Sequence, residues 1–156
     1  MGRKERREAD RDLVRNRKAR HQYEILETLE AGIALVGSEV KSVRAGRVSL
    51  EEAFVRAKPD GLWLEKARID EYDQASRLNH DPMRPRRLLV HRDEMRRLTQ
   101  KVKEKGLTLV PLRMYLKGPR VKVEIALGKG RRTHDKREVL KRREAERDVR
   151  RALRGR

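Results

Sequence analysis

The sequence predicts a mainly β fold with helices: an antiparallel barrel carrying short inserted α-helices and a basic C-terminal tail. Three observations lead there. Short stretches of alternating apolar and polar residues recur from residue 22 to residue 127. The cleanest sets Val121, Val123, Ile125 and Leu127 against Lys122, Glu124 and Ala126, the period of a strand with one face in a core. Turn chemistry separates the stretches, notably at Pro59-Asp60-Gly61 and Lys117-Gly118-Pro119. Charge collects at the ends. Of a net +18, residues 1–20 carry +5 and residues 128–156 carry +8, and the 107 residues between them carry +5. A near-balanced middle with two basic ends is the layout of a chain that binds a polyanion.

Residues 1–20 hold little apolar material beyond Ala9, Leu13, Val14 and Ala19. So little burial does not offset the ordering entropy, which predicts a solvated arm, disordered or a loosely held helix. From Gln22 to Val36, Tyr23, Ile25 and Leu29, then Ile33, Leu35 and Val36, alternate with polar residues or Gly32. That reads as a two-strand hairpin with Glu30-Ala31-Gly32 as its turn or bulge. Ser38 is the expected cap of a short helix through Arg44, with Val40 and Val43 on one face and Gly46 as its stop.

Residues 48–57 read as a strand, and Leu62, Trp63, Leu64 and Ile69 lie on the next, with Phe54 and Trp63 assigned to the core. Residues 70–87 are polar, contain Pro82 and Pro85, and read as a long mobile loop. Leu88-Leu89-Val90 is a brief buried strand. Asp93-Glu94 opens a helix, suited to the positive end of its dipole. Met95, Leu98 and Val102 give that helix an apolar stripe, and Gly106 ends it. Residues 107–116 carry the strongest strand signal, and Pro111 inside them predicts an edge or a bulge.

Residues 135–154 have helix-forming composition, with Glu138–Arg142 and Glu146–Arg150 at i, i+4. Val139, Leu140, Val149 and Leu153 are too few to dock on a core. This predicts a tail that is disordered when free and helical once its charge is neutralised. Several short strands with two inserted helices suggest a barrel of oligonucleotide-binding type, whose closure hides its edges. The expected organisation is a flexible arm over 1–15, a barrel domain over 16–130 and a tail over 131–156.

Composition removes several function classes. There is no cysteine, hence no disulfide framework, thiolate nucleophile or cysteine zinc site, in keeping with a reducing cytoplasm. No apolar run reaches the roughly 18–20 residues of a membrane span, and Arg3 to Arg20 is too charged for a secretory signal. Phosphate-loop, dinucleotide-glycine and nucleophile-elbow motifs are absent. His21, His80, His91 and His134 sit at no metal-ligand spacing, and Glu39, Glu51 and Glu52 read as solvated salt-bridge partners. No catalytic residue, cofactor or metal is expected. The basic ends suit phosphate contacts. With only Tyr23, Phe54, Trp63, Tyr72 and Tyr115 as aromatics, RNA read by shape, backbone and a few splayed bases fits better than extensive base stacking.

Four ordered segments then become specific: NRKARHQYEILETLEAGIALVGSEVKSVRAGRVSLEE (16–52), DPMRPRRLLVHRDEM (81–95), KVKEKGLTLVPLRMYLKGPRVKVEIALGKG (101–130) and THDKRE (133–138). Together they strongly resemble the SmpB family, the tmRNA-binding small proteins of bacterial trans-translation. The resemblance implies an oligonucleotide-binding-like barrel and a non-enzymatic role. The family binds the tRNA-like domain of tmRNA and carries the charged RNA into a ribosome stalled on a truncated message. The barrel stands in for an anticodon stem, and the tail enters the small-subunit decoding region and the empty mRNA channel. Through the charged tmRNA it also implies elongation factor Tu and alanyl-tRNA synthetase as indirect partners, one copy of the chain per tmRNA, and no membrane.

Carried over residue by residue, Asn16, His21, Glu30, Leu89 and His91 fall at family positions tied to tmRNA binding. Lys18 and Arg20 fit phosphate contacts. Glu30 is odd beside a polyanion; its carboxylate accepts from base amino or ribose hydroxyl groups, or else it caps the hairpin turn. His91 stands where some members have Asn, and both donate a hydrogen bond. In the tail, Lys129, Arg131 and Arg132 resemble the family's basic segment, and His134, Asp135, Lys136 and Arg137 its decoding-centre motif. Ala145 replaces an aromatic of some members, which leaves charge and helix to make contacts there. The rival readings are a structural ribosomal or ribosome-assembly RNA-binding protein and an RNA-cleaving or RNA-modifying enzyme using His21 and His91.

Overall fold

A computed structural model of the chain describes residues 10–131 and 133–154. In order these form β1 (Asp10–Arg15), α1 (Ala19–Gln22), β2 (Tyr23–Ile33), α2 (Gly37–Arg44), β3 (Val48–Ser49), β4 (Phe54–Lys58), β5 (Gly61–Glu65), β6 (Arg68–Ile69), a 3-10 turn (Asp73–Leu78), β7 (Arg86–Leu89), α3 (Arg92–Lys105), β8 (Thr108–Lys117), β9 (Arg120–Gly130) and α4 (Thr133–Arg154). Seven strands pair in the order β1-β8-β4-β5-β7-β2-β9, and β9 also pairs with β8. The pairing therefore returns on itself through β8, β4, β5, β7, β2 and β9, with β1 added outside β8. All of these pairs are antiparallel. The circuit is narrowest at β4–β8, where Val55 opposite Leu109 is the one registered pair. The short β3 and β6 pair separately.

Period-2 alternation puts Ala31 and Ile33 of β2, Leu62 and Leu64 of β5, Leu88 of β7, Met114 of β8 and Val123 and Ile125 of β9 into one core. Val43 of α2 and Leu98 of α3 enter it from the helices. A smaller cluster of Ala19, Val110, Leu112 and Ala126 packs on the opposite face of β8 and β9. Pro111 coincides with a register shift between Pro111 and Arg113, the bulge that a residue without an N–H calls for. Gly106 ends α3 with φ 62, a left-handed conformation that costs glycine nothing. Pro59-Asp60 and Gly118-Pro119 are the loops of the β4–β5 and β8–β9 hairpins.

Several expectations are corrected. Residues 22–36 are not a hairpin: β2 runs unbroken to Ile33, and its register shift lies between Ile25 and Glu27. Gly32 is small because the strand passes close to β7; a Cβ there would meet the Leu89 Cβ at 3.1 Å. The N-terminal segment is not a free arm over residues 10–15. It is β1, paired with β8 through the backbone and through Asp12–Arg113 at 2.6 Å. Side-chain burial alone undercounted that ladder; residues 1–9 lie outside the described ones.

Ser38 does not cap α2. The Glu39 carboxylate accepts the Val36 N–H at 2.9 Å, while Ser38 Oγ pairs with His80 Nδ1. The strand expected over 48–57 is two, β3 and β4, and the next divides at Lys66 (φ 58). Phe54 and Trp63 are not core residues. Alternation turns Val55, Leu62 and Leu64 inward and leaves both rings half-buried, with Lys66 and Lys58 over them. Within 88–90 only Leu88 is buried.

The polar segment 70–85 is held in place. Asn79 bonds the Tyr72 N–H and C=O at 2.9 and 2.8 Å, and the buried His80 ring reaches Ile69 O at 2.8 Å. Glu39 is not a solvated carboxylate. Both it and Arg86 are 0 % exposed, and Arg86 Nε donates to Glu39 Oε2 at 2.5 Å. Arg84 adds a second ion pair to Glu39. The Arg86 guanidinium also donates to the carbonyls of Ala67, Pro82 and Asp81 at 2.6, 3.1 and 3.3 Å. One arginine thus ties β7 to α2 and to both ends of the segment.

Candidate nucleic-acid interface

The first recess is a cleft of about 960 Å³ between β2, the end of β7, the β4–β5 turn and the start of α3. Alternation along β7 creates it. Arg86 and Leu88 point inward, so Arg87 and Leu89 point out, and Leu89 is 55 % exposed. His91 follows at the N-cap of α3, where its carbonyl accepts the Met95 N–H and its side chain makes no cap. Glu30 enters from β2. Three of the sequence-predicted residues, Glu30, Leu89 and His91, therefore line one concavity, with Arg87, Arg92 and Lys122 around them. Arg87 is steadied by the Asp60 carbonyl at 2.5 Å.

Glu30 does not cap a turn, because there is no turn. It lies mid-strand, and its carboxylate accepts the Tyr115 hydroxyl and, at 3.2 Å, the Lys117 ammonium, both from β8. The Tyr115 hydrogen bond, aided by Lys117, holds the Glu30 carboxyl below the ordinary carboxylate range against the opposing effect of burial. Glu30 is thus an acceptor held ionised among cations. A carboxylate in that state takes N–H or O–H donors and repels phosphate.

The second recess, about 230 Å³, is lined by Arg15, Asn16, Arg17, Arg20, Leu112, Arg113 and Glu124. Asn16 is structural as well as accessible. Its amide donates to Pro111 O at 3.0 Å and its N–H to Leu112 O at 2.7 Å, which locks the chain onto the β8 bulge. Lys18 makes an exposed ion pair with Glu51 at 3.0 Å, which raises its pKa. His21 lies on α1 and lines neither recess.

A chain of polar side chains joins the two recesses across the outer face of β8. Arg113 bonds Asp12 at 2.6 Å and Glu124 at 3.5 Å. Its guanidinium stacks 4.1 Å from the Tyr115 ring centroid, and Tyr115 reaches Glu30. Burial pushes the Asp12 carboxyl up, but Arg113 and Arg15 more than offset it, so it stays below its ordinary value. Arg113, Tyr115 and Lys117 were not picked out from sequence. Their signal was the alternation Arg-x-Tyr-x-Lys on the strongest strand, which puts all three on its outer face.

At the tail, Lys129 is exposed opposite Glu24, and the Arg131 N–H bonds Gln22 O at 2.9 Å. Arg132 lies outside the described residues. His134, Asp135, Lys136 and Arg137 belong to α4, but their side chains are also outside them. From Lys141 to Arg154 every side chain of α4 is exposed, and among these described residues Val149 and Leu153 dock on nothing. Among the described residues no three His, Asp or Glu side chains gather as a metal site, and no helix is long and apolar enough to cross a membrane.

Comparison with known proteins matches residues 13–155 to the family model described as SmpB protein. An SsrA-binding protein from Desulforudis audaxviator is 52% identical over 149 residues, covering 96% of this chain and 97% of its own. One from Symbiobacterium thermophilum is 56% identical over 146 residues, covering 92% of each. Among solved structures, a chain from "tmRNA-SmpB: a journey to the center of the bacterial ribosome" is 49% identical. It superposes with a TM-score of 0.65 over 81% of this chain and 93% of its own. With a family model spanning nearly the whole sequence and relatives above half identity across it, the chain belongs to the SmpB family.

Proposed function

We propose that this chain is the tmRNA-binding factor of trans-translation: it binds the tRNA-like domain of tmRNA, delivers it to stalled ribosomes and tests the empty decoding site with its tail. The observation that carries the reading is the cleft in which Glu30, Leu89 and His91, separated by up to 61 residues in sequence, are gathered together with Arg87, Arg92 and Lys122. Cations attract the phosphate backbone, Leu89 offers an apolar seat to an unstacked base, and Glu30 accepts from a base or ribose donor. These are the functions of a binding surface, and family membership supports a role in binding RNA.

The division of labour follows from charge and packing. We assign the body, residues 16–130, an oligonucleotide-binding-like barrel, a reading supported by the strand circuit that closes through β8 and β9. In the tail, residues 131–156, the described side chains from Lys141 to Arg154 are helical and all exposed, and a helix without tertiary packing has little stability in water. Phosphates around it would stabilise it through its Lys and Arg side chains, so it folds firmly where ribosomal RNA surrounds it and the message channel is vacant. Lys129, Arg131, Arg132, His134, Asp135, Lys136 and Arg137 would make those contacts, and Asn16, Lys18, Arg20 and His21 would extend the tmRNA interface of the body. Within residues 1–15, the described strand β1 supplies Arg15 to the second recess. Elongation factor Tu and alanyl-tRNA synthetase would meet the chain through the charged tmRNA, one copy per RNA, in the cytoplasm.

The test is capture of RNA with the full chain from a bacterial lysate, followed by sequencing. Enrichment of tmRNA over ribosomal RNA supports the reading. Stoichiometric ribosomal RNA without tmRNA enrichment supports a structural ribosomal protein instead.

A further inference from the structure

We propose that Tyr115 is a positioning residue for RNA recognition, its hydroxyl fixing the Glu30 carboxylate in the one orientation that the cleft presents. The inference rests on the tmRNA-binding reading above and deepens it. Tyr115 is 2 % exposed, so it touches no ligand directly, yet its hydroxyl donates to Glu30 Oε2 from 85 residues away. Lys117 approaches both oxygens, at 3.2 and 3.4 Å. A glutamate on a strand surface ordinarily samples several rotamers. With one oxygen held by a buried hydroxyl and both facing an ammonium, Glu30 has one arrangement, and its remaining lone pairs are aimed before the ligand arrives. Preorganisation of this kind lowers the ordering cost of binding. The Tyr115 ring is itself held by Arg113, stacked at 4.1 Å and tied to Asp12 and Glu124. The acceptor in the first recess is therefore braced by the arginine that lines the second.

The surroundings of Glu30 bear on any pH dependence. From β8 it faces Tyr115, Lys117 and, through the ring, Arg113. From β9, Lys122 lies near and Glu124 stands opposite in register. Across the cleft stand Arg87, His91, Arg92 and Glu94. The hydroxyl and the ammonium favour the charged carboxylate, so removing the hydroxyl raises its pKa toward the ordinary carboxylate value. Acid should then abolish tight binding at a higher pH than in the unmodified chain.

The experiment measures tmRNA affinity of the full chain, Tyr115→Phe, Glu30→Gln and the double variant, between pH 4 and pH 8. Far-ultraviolet circular dichroism and thermal melts report folding. The ring is kept in Tyr115→Phe, and Lys117→Met probes the same clamp from an exposed position. Tyr115→Phe is expected to weaken binding about fivefold to tenfold at pH 7, the order for one net hydrogen bond. It should also move the acid limb upward. In the Glu30→Gln background the same change should cost less than twofold, because a neutral amide at position 30 still takes the Tyr115 hydroxyl but offers the ligand no ionised acceptor. If the unmodified chain does not bind tmRNA, the functional reading itself fails. If it binds and Tyr115→Phe leaves affinity and acid limb unchanged, or costs as much with Gln at position 30, the positioning role is overturned.

Discussion

Replacing Glu39 by alanine tests how the cleft is held open. Glu39 and Arg86 are wholly buried and bonded at 2.5 Å. Arg84 and the Val36 N–H complete the carboxylate's coordination. Removing the carboxylate leaves the Arg86 charge buried with only the carbonyls of Ala67, Asp81 and Pro82 as partners. Breaking a buried pair from one side costs about 3–5 kcal/mol. In a chain of this size that lowers the melting temperature by roughly 10 °C. Removing both charges in Glu39→Ala/Arg86→Met should recover a large part of the loss, because no unpaired charge remains. Urea unfolding of the full chain followed by circular dichroism measures both. Because Arg86 precedes Leu89 and His91 on the same strand and loop, the single variant should also weaken tmRNA binding. A loss below about 1 kcal/mol for Glu39→Ala, or a double variant no more stable than the single one, would refute the claim that this pair fixes β7.

Other consequences follow from the same geometry. Glu30→Ala adds net positive charge, yet should weaken tmRNA binding by about 1.5–3 kcal/mol through the lost charged hydrogen bonds; tighter binding in a filter assay would make the cleft merely electrostatic. Arg20→Ala should weaken all RNA binding and reduce the slope of log K against log salt by about 1, measured by titration at several salt concentrations. Acid should destabilise the body. Burial pushes the Glu39 carboxyl up, but Arg84, the Val36 N–H and Arg86 bring it below its ordinary value, and Lys101 and Arg97 lower Glu27. A carboxyl depressed on folding contributes stability above its unfolded pKa and loses it as pH falls through the folded one. Urea midpoints should therefore hold from pH 7 to about pH 5 and fall below pH 4. Gly106→Ala should cost about 1 kcal/mol in the same assay, because φ is 62 there.

The sequence was most legible where local chemistry and long-range structure agree. The hairpin of β8 and β9 declares itself by alternation, its turn by Gly118-Pro119, its bulge by Pro111, and α3 by its stripe and Gly106. It was least legible where a local signal has a distant cause. Ala31-Gly32 looks like a turn, but Gly32 is small because Leu89 passes beside it. Asp12 and Arg15 look like solvated charge, but backbone pairing to β8 and the Arg113 ion pair make them a strand. Glu39 and Arg86 look exposed because charged residues usually are; only the fold brings 39 and 86 together. At the site, the resemblance named Glu30, Leu89 and His91, and the fold put them in one cleft. It could not reveal Tyr115, whose partner lies 85 residues away.

The account depends most on separate roles for body and tail, and the direct measurement compares the full chain with one ending at residue 132. Both are assayed for tmRNA affinity and for tmRNA-dependent tagging on stalled ribosomes. The account predicts affinity within about twofold and no tagging by the shortened chain, since the lining of both recesses precedes the cut. Parallel loss of affinity and tagging, or tagging that survives the truncation, would contradict it.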